Sequence, residues 1–168
     1  MAEIIYRSAR KEDAAAIVAF YNRMGGETGF LSFRKDEYPL DAAAQAAAID
    51  KTEGDPTNLM LLATDEEEIV AIATISSLAK AKFRHSGELG IVVAQSHWRR
   101  GIGTRMIATL LEQVRNNGIT KRVYLSTRAD NPAAALYQKF GFAEEGRGKN
   151  AVLEDGVYYD LVWMSMML

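Results

Sequence analysis

The sequence predicts a mixed α+β domain with a strand–helix–strand–helix–strand centre, and three observations carry that prediction. Apolar, β-branched runs alternate with segments of helical periodicity through the second half of the chain. Two apolar runs flank the acidic turn Asp65–Glu68, which reads as a hairpin. The longest helical pattern opens on Gly-Ile-Gly-Thr at 101–104, shortly after the central apolar run. At 168 residues the chain has the size of one domain with its own core, and 1–168 is taken as a single unit.

Glu3–Ser8 reads as a first strand. Ser8 or Asp13 is placed to cap a helix over Ala14–Met24, where Ile17, Val18, Phe20 and Tyr21 recur at helical spacing. Gly25-Gly26 is expected to stop that helix. The connection 27–33 that follows is rich in large apolar groups. Asp41 caps an alanine-rich helix over 42–51, ended by Gly54-Asp55-Pro56. Asn58–Thr64 and Ile69–Ser76 form the hairpin, and Leu89–Val93 is the central strand. The long helix spans Ile102–Asn117, with Gly118 just past its end. Arg122–Thr127 is another strand. Asn131 caps a helix that Pro132 opens and Gly141 closes after Phe140. Phe142–Glu145 and Val157–Met166 are the last strands, with a polar Gly/Lys/Asn/Asp segment between them.

Composition narrows the chemistry. The chain has no cysteine, which excludes disulfides, thiolate metal sites and a cysteine nucleophile. Its two histidines, His85 and His97, cannot make a zinc site by themselves, so no metal is expected. A net charge of −2 gives no general attraction to nucleic acid or to an anionic membrane. The first ten residues alternate rather than forming an apolar leader, and no run is long enough to span a bilayer, so the cytoplasm is the expected location.

Strand, short turn and glycine-opened helix together make an anion trap at Arg99–Thr104. Glycines admit close approach of the backbone, and the free N–H groups of the first helical turn lie at the positive end of the helix dipole. A diphosphate fits such a site. The alternative is a helix that merely starts at Gly101.

Two motifs resemble those of the GNAT superfamily of acetyl-CoA-dependent N-acetyltransferases, and the order of elements resembles it over essentially the whole chain. Trp98-Arg99-Arg100-Gly101-Ile102-Gly103 resembles the cofactor loop [Gln/Arg]-x-x-Gly-x-[Gly/Ala], except at its first position. The stretch from Asn131 to Phe142, with Ala134, Leu136-Tyr137 and Gly141, looks like the family's Asn-x-x-Ala-x-x-Leu-Tyr-x-x-x-Gly-Phe helix. Glu144-Glu145-Gly146 and 155–160 further resemble the branch of spermidine and ribosomal-protein N-terminal acetyltransferases. The resemblance implies a twisted, mostly antiparallel sheet of six to seven strands with helices on both faces.

It also implies roles. Arg99, Arg100, Gly101, Ile102, Gly103 and Thr104 would hold the coenzyme A diphosphate through backbone N–H groups, with the Thr104 hydroxyl added. The Arg99 and Arg100 side chains either touch the 3′-phosphate or are simply solvated. Ile91, Val92 and Val93 supply core side chains, and by resemblance their strand parts from the next one. That leaves backbone groups for the pantetheine arm and an N–H to polarise the thioester carbonyl. Asn131 is a helix cap that in the family also bonds the pantetheine arm. Tyr137 is the expected general acid towards the departing thiolate; otherwise it is a core tyrosine beside Leu136 and Phe140.

The base faces the larger task. Freeing an amine of pKa about 10.4 at neutral pH costs roughly 4 kcal/mol, against about 2 kcal/mol for protonating a thiolate of pKa about 8.5. Glu88, at the start of the central strand, is the best-placed carboxylate. It lies about 10 Å along the strand from Ile91, so it would act through a water; a salt bridge is the plainer reading. Glu27, Phe30 and Phe33 lie where similar enzymes build the acceptor pocket, and Tyr159 on the last strand is a further candidate. Each aromatic could equally plug the core.

The expected function is acetyl transfer from acetyl-CoA to a primary amine of a small molecule or peptide, by direct attack in a ternary complex. A catalytically silent acetyl-CoA sensor is the alternative. A nucleoside triphosphate site is disfavoured because the loop lacks a Gly-Lys-Ser/Thr ending. Dimers are common among similar proteins, so a homodimer is an allowed assembly.

Overall fold

The computed structural model describes residues 2–168. Its strands are β1 (Ile5–Ser8), β2 (Leu59–Asp65), β3 (Glu68–Ser77), β4 (Ser86–Val93), β5 (Arg122–Arg128), β6 (Ala143–Glu154) and β7 (Val157–Met167). Four α-helices accompany them: α1 (Ala14–Glu27), α2 (Ala42–Thr52), α3 (Ile102–Arg115) and α4 (Ala134–Phe140). The strands form one seven-stranded sheet in the order β1-β2-β3-β4-β5-β7-β6. Every neighbouring pair is antiparallel except β4 and β5.

The period of two along each strand divides the core between the faces. Leu61, Ala73, Ile75 and Leu89 pack with Ile102, Met106, Ile107, Leu110 and Leu111 of α3 on one face. Leu62, Ile72 and Val92 pack with Ile17, Phe20 and Met24 of α1 on the other. The mixed sheet with helices on both faces is the architecture that the family resemblance implies.

Three local expectations are corrected. α1 does not stop at Gly25-Gly26 but runs through both to Glu27. The glycine is needed for contact instead: a Cβ on Gly25 would sit 2.3 Å from the Arg34 carbonyl oxygen of the returning loop. Asp13 does not cap α1 with its side chain; its carboxylate takes both arms of Arg7 at 2.7 Å and the Arg10 N–H at 2.8 Å. The polar segment after Glu145 is not a loop but part of β6, which continues to Glu154. There Gly146 and Gly148 lie under the Trp163 ring, and register shifts after Glu144 and Gly148 absorb the irregular stretch. Asp41 does cap α2, accepting from the Ala44 N–H at 2.8 Å. Asn131 caps a turn ahead of α4, accepting from the Ala133 N–H at 2.9 Å, and the helix begins at Ala134.

One feature of the sheet places the site. β4 and β5 pair only over Ser86–Glu88 and Arg122–Tyr124. Beyond that, β4 stays with β3 through Val93 and β5 stays with β7 through Arg128. The sheet therefore opens along a seam at the carboxyl ends of its only parallel pair, where crevices in such sheets form.

Candidate active site

A cleft of about 1120 Å³ follows the seam. Its walls are the carboxyl halves of β4 and β5, the loop into α3, the start of α4, the loop 28–34 and the end of β6. Ladder alternation fixes which backbone groups face it. The Ala94 N–H donates to the Val70 carbonyl at 2.8 Å, so Val92 and Gly90 also bond towards β3. Ile91 and Val93, one residue out of phase, turn their N–H and C=O groups into the seam. The Val93 carbonyl is there met by the Trp98 indole N–H at 2.8 Å.

The loop into α3 carries two left-handed residues, Arg99 (φ 60°) and Gly101 (φ 76°). No atom lies within 4 Å of a Cβ built on Gly101, so its conformation alone explains the glycine. The first helical bond runs from the Arg105 N–H to the Gly101 carbonyl at 3.0 Å. The N–H groups of Ile102, Gly103 and Thr104 are thus the orphan donors of the helix, at its positive end. A Cβ on Gly103 would lie 3.7 Å from Ile91 and Leu136, in ordinary contact with the seam floor.

Tyr137 stands at the inner end of the cleft. Only 6% of it is exposed, and its ring meets Phe142 edge-on with centroids 6.2 Å apart. Burial pushes its phenol up to about 12. The hydroxyl has no hydrogen-bond partner among the described residues, although the residue lines the cleft. Glu88 lines the cleft where the seam begins; it is exposed, and no ion pair forms with it among the described residues. Its charge, after burial, helps to raise the phenol of Tyr124, its neighbour on β5.

Thirteen of the residues singled out from sequence thus share one cleft: Phe30, Phe33, Glu88, Ile91, Val92, Val93, Arg99, Gly101, Ile102, Gly103, Thr104, Asn131 and Tyr137. The Val92 side chain itself belongs to the α1-side core. Asn131 is already engaged, donating to the Thr127 hydroxyl at 2.8 Å while it caps. Three residues lie elsewhere. Arg100 turns towards Asp65, at 3.6 Å. Glu27 accepts from the Gln95 N–H at 2.9 Å, bracing the loop from beneath. Tyr159 is covered by the Arg128 guanidinium, 3.7 Å from its ring centroid.

Arg128 is a cleft residue that sequence reasoning missed, as are Glu37 and Glu154. It donates two bonds to Asp130 (2.8 and 2.7 Å) and one to Glu154 (2.8 Å), and it also lies over the Phe30 ring. It thereby ties the loop 28–33 to the β6–β7 hairpin. Its partners are distant in sequence, and only Asp130, two residues away, could have signalled the pairing.

Residues 27–142 match the Acetyltransferase (GNAT) family. The chain belongs to that family. The protein is therefore an acetyltransferase with the GNAT architecture. It is 28% identical over 167 residues to the L-amino acid N-acetyltransferase AaaT of Escherichia coli, covering 98% of each chain. It is 29% identical over 166 residues to a phosphinothricin N-acetyltransferase of Streptomyces coelicolor, covering 96% of this chain and 95% of the relative. A GNAT-family acetyltransferase from Streptococcus pneumoniae superposes with a TM-score of 0.94 at 32% identity, covering 99% of this chain and all of the other. No group of three or more potential ligands for a metal ion occurs among the described residues, and no helix is long and apolar enough to cross a membrane.

Proposed function

We propose that the protein moves an acetyl group from acetyl-CoA to a primary amine of a small molecule, by direct attack within a ternary complex. The observation that carries this reading is a buried phenol without a protein partner, facing a seam where β4 and β5 no longer pair with each other. The cleft fits the cosubstrate. The orphan N–H groups of Ile102, Gly103 and Thr104 suit a diphosphate, and the seam-facing amides of Ile91 and Val93 suit an amide-bearing arm. Acetyl-CoA supplies the activated acyl group.

The chain's own residues then divide the work. The Ile91 and Val93 N–H groups are fixed donors for negative charge developing on a carbonyl oxygen. Glu88 draws the proton from the acceptor ammonium through a water, and Tyr137 donates its O–H to the departing sulfur. Phe30 and Phe33 form the apolar side of the acceptor pocket. The acceptor end also carries Glu37, Glu88 and Glu154, while Arg128 is already held by two carboxylates and Arg34 reaches Asp155 at 3.7 Å. This balance supports an amine without a free carboxylate, although the two relatives are named for an L-amino acid and for phosphinothricin.

The test is thiol release from acetyl-CoA with a panel of amines paired with their carboxylated analogues. Turnover is expected, higher for the member lacking the carboxylate. Higher rates with the carboxylated members would overturn the acceptor assignment. Acetyl-CoA binding without release by any amine would make the protein a binding module instead.

A further inference from the structure

The loop that presents the anion-binding N–H groups is strained, and it is anchored to Asp65, which lies outside the cleft lining. Arg99, a residue with a side chain, sits in the left-handed region (φ 60°), two positions before Gly101 in the same region. Such a conformation persists only where surrounding contacts over-determine it. The contacts are specific. Asp65, at the end of β2, faces the His97 Nε2 at 3.0 Å and the Arg100 guanidinium at 3.6 Å. The other ring nitrogen, Nδ1, lies 2.8 Å from the Ser96 hydroxyl. With Nε2–H donating to the carboxylate, Nδ1 accepts from Ser96, and both ring positions are satisfied.

The Asp65 clamp is partly sheltered. Its side chain is 23% exposed and that of His97 is 16% exposed. The hydrogen bond from His97, followed by the charge of Arg100, holds the Asp65 carboxyl below its ordinary range. Asp65 sits in a tight hairpin whose turn residues Glu66 and Glu67 both have positive φ, so the carboxylate is presented from a fixed frame. The motif position that the family fills with Gln or Arg is Trp98 here, and its indole bonds Val93 instead of serving the loop from within.

We propose that Asp65 is a positioning residue for acetyl-CoA binding, clamping His97 and Arg100 so that the turn at Arg99–Gly101 aims the Ile102–Thr104 N–H groups at the cosubstrate's diphosphate. The proposal rests on the acetyl-CoA reading of the cleft. It assigns to Arg100 a scaffold role, with its charge spent on Asp65 while the loop's backbone faces the anion. A fixed nest of donors costs nothing to organise on binding, so loss of the clamp weakens the cosubstrate selectively.

The experiment measures coenzyme A affinity by calorimetry, steady-state KM and kcat, and thermal midpoint for wild type, Asp65→Ala, Asp65→Asn, His97→Ala and the Asp65→Ala/His97→Ala double variant. Asp65→Ala should raise the coenzyme A Kd and the acetyl-CoA KM about tenfold, the loss of one charge-assisted hydrogen bond. The acceptor KM and the kcat at saturation should stay within about twofold, and the double variant should bind no worse than Asp65→Ala. Asp65→Asn keeps an acceptor for His97 and should fall between; if Asp65→Ala does not fold, this variant decides, with about a threefold rise expected. An unchanged Kd, an equal rise in acceptor KM, or additive effects of the two substitutions would overturn the clamp. Failure of wild type to bind coenzyme A would overturn the underlying acetyl-CoA reading instead.

Discussion

Replacing Tyr137 with Phe removes one oxygen from the inner end of the cleft and leaves the ring's packing on Phe142 in place. Burial holds the phenol at about 12, whereas a leaving thiolate has an ordinary pKa of about 8.5, so complete proton transfer between them is uphill by about 5 kcal/mol. The hydroxyl therefore acts by donating a strong hydrogen bond to the sulfur as it gains charge, with the proton following late. A hydrogen bond to a charged acceptor contributes about 1.5–3 kcal/mol. Tyr137→Phe should accordingly lower kcat by about 10- to 150-fold, reaching only the bottom of the roughly 10²–10⁴-fold range for general acid catalysis. Because the hydroxyl has no protein partner, the thermal midpoint should hold within about 2 °C. The assay is thiol release at saturating cosubstrates from pH 6 to 9.5, and the two profiles should be parallel, since the phenol stays protonated throughout. A kcat within twofold of wild type, or a rise in acetyl-CoA KM with kcat preserved, would remove Tyr137 as the donor to the sulfur.

Glu88→Gln should slow the reaction at neutral pH and lose most of its effect near pH 10, where an amine of ordinary pKa about 10.4 needs less help to shed its proton; an equal loss at both ends of the profile would remove Glu88 as the proton acceptor. Alkaline stability follows from the Tyr137 phenol, raised from 10 to about 12 by burial. Below pH 10 both folded and unfolded states keep the proton and the contribution is complete; above it the unfolded chain ionises first, and about 2 kcal/mol is lost by pH 12. Urea unfolding at pH 9 and 11 should show a shallower decline for Tyr137→Phe than for wild type, and equal declines would contradict the assignment. Gly25→Ala should destabilise by about 1–3 kcal/mol although alanine is the better helix former, because its Cβ would meet the Arg34 carbonyl at 2.3 Å; a gain in stability on thermal unfolding would show that the returning loop can shift.

The sequence made the elements of the centre legible because there the local signal and the packing agree. The apolar stripe of α3, the cap at Asp41 and the glycines at 101 and 141 each carry a backbone or burial requirement that reads off residue type. Local signal failed where distant chain supplied the reason. Gly25-Gly26 looks like a stop, but Arg34, brought back by the loop, is what demands a glycine. The polar run 146–151 looks like a loop, yet it lies on the sheet's edge, where a strand needs little apolar surface. The site divides in the same way. Most groups borne by the motifs fall in one cleft, whereas Glu27, Tyr159 and the motif's own Arg100 are claimed by Gln95, Arg128 and Asp65, partners that only the tertiary structure reveals. Charge type gave no hint of those pairings, because a surface carboxylate and a clamping one are the same residue in a string of letters.

The most direct measurement of the central claim is a crystal structure of the protein with acetyl-CoA. The diphosphate should lie against the Ile102, Gly103 and Thr104 N–H groups, and the thioester in the seam between β4 and β5 with its sulfur within hydrogen-bonding reach of the Tyr137 hydroxyl. A cosubstrate bound outside the seam, or a sulfur out of reach of Tyr137, would contradict that claim.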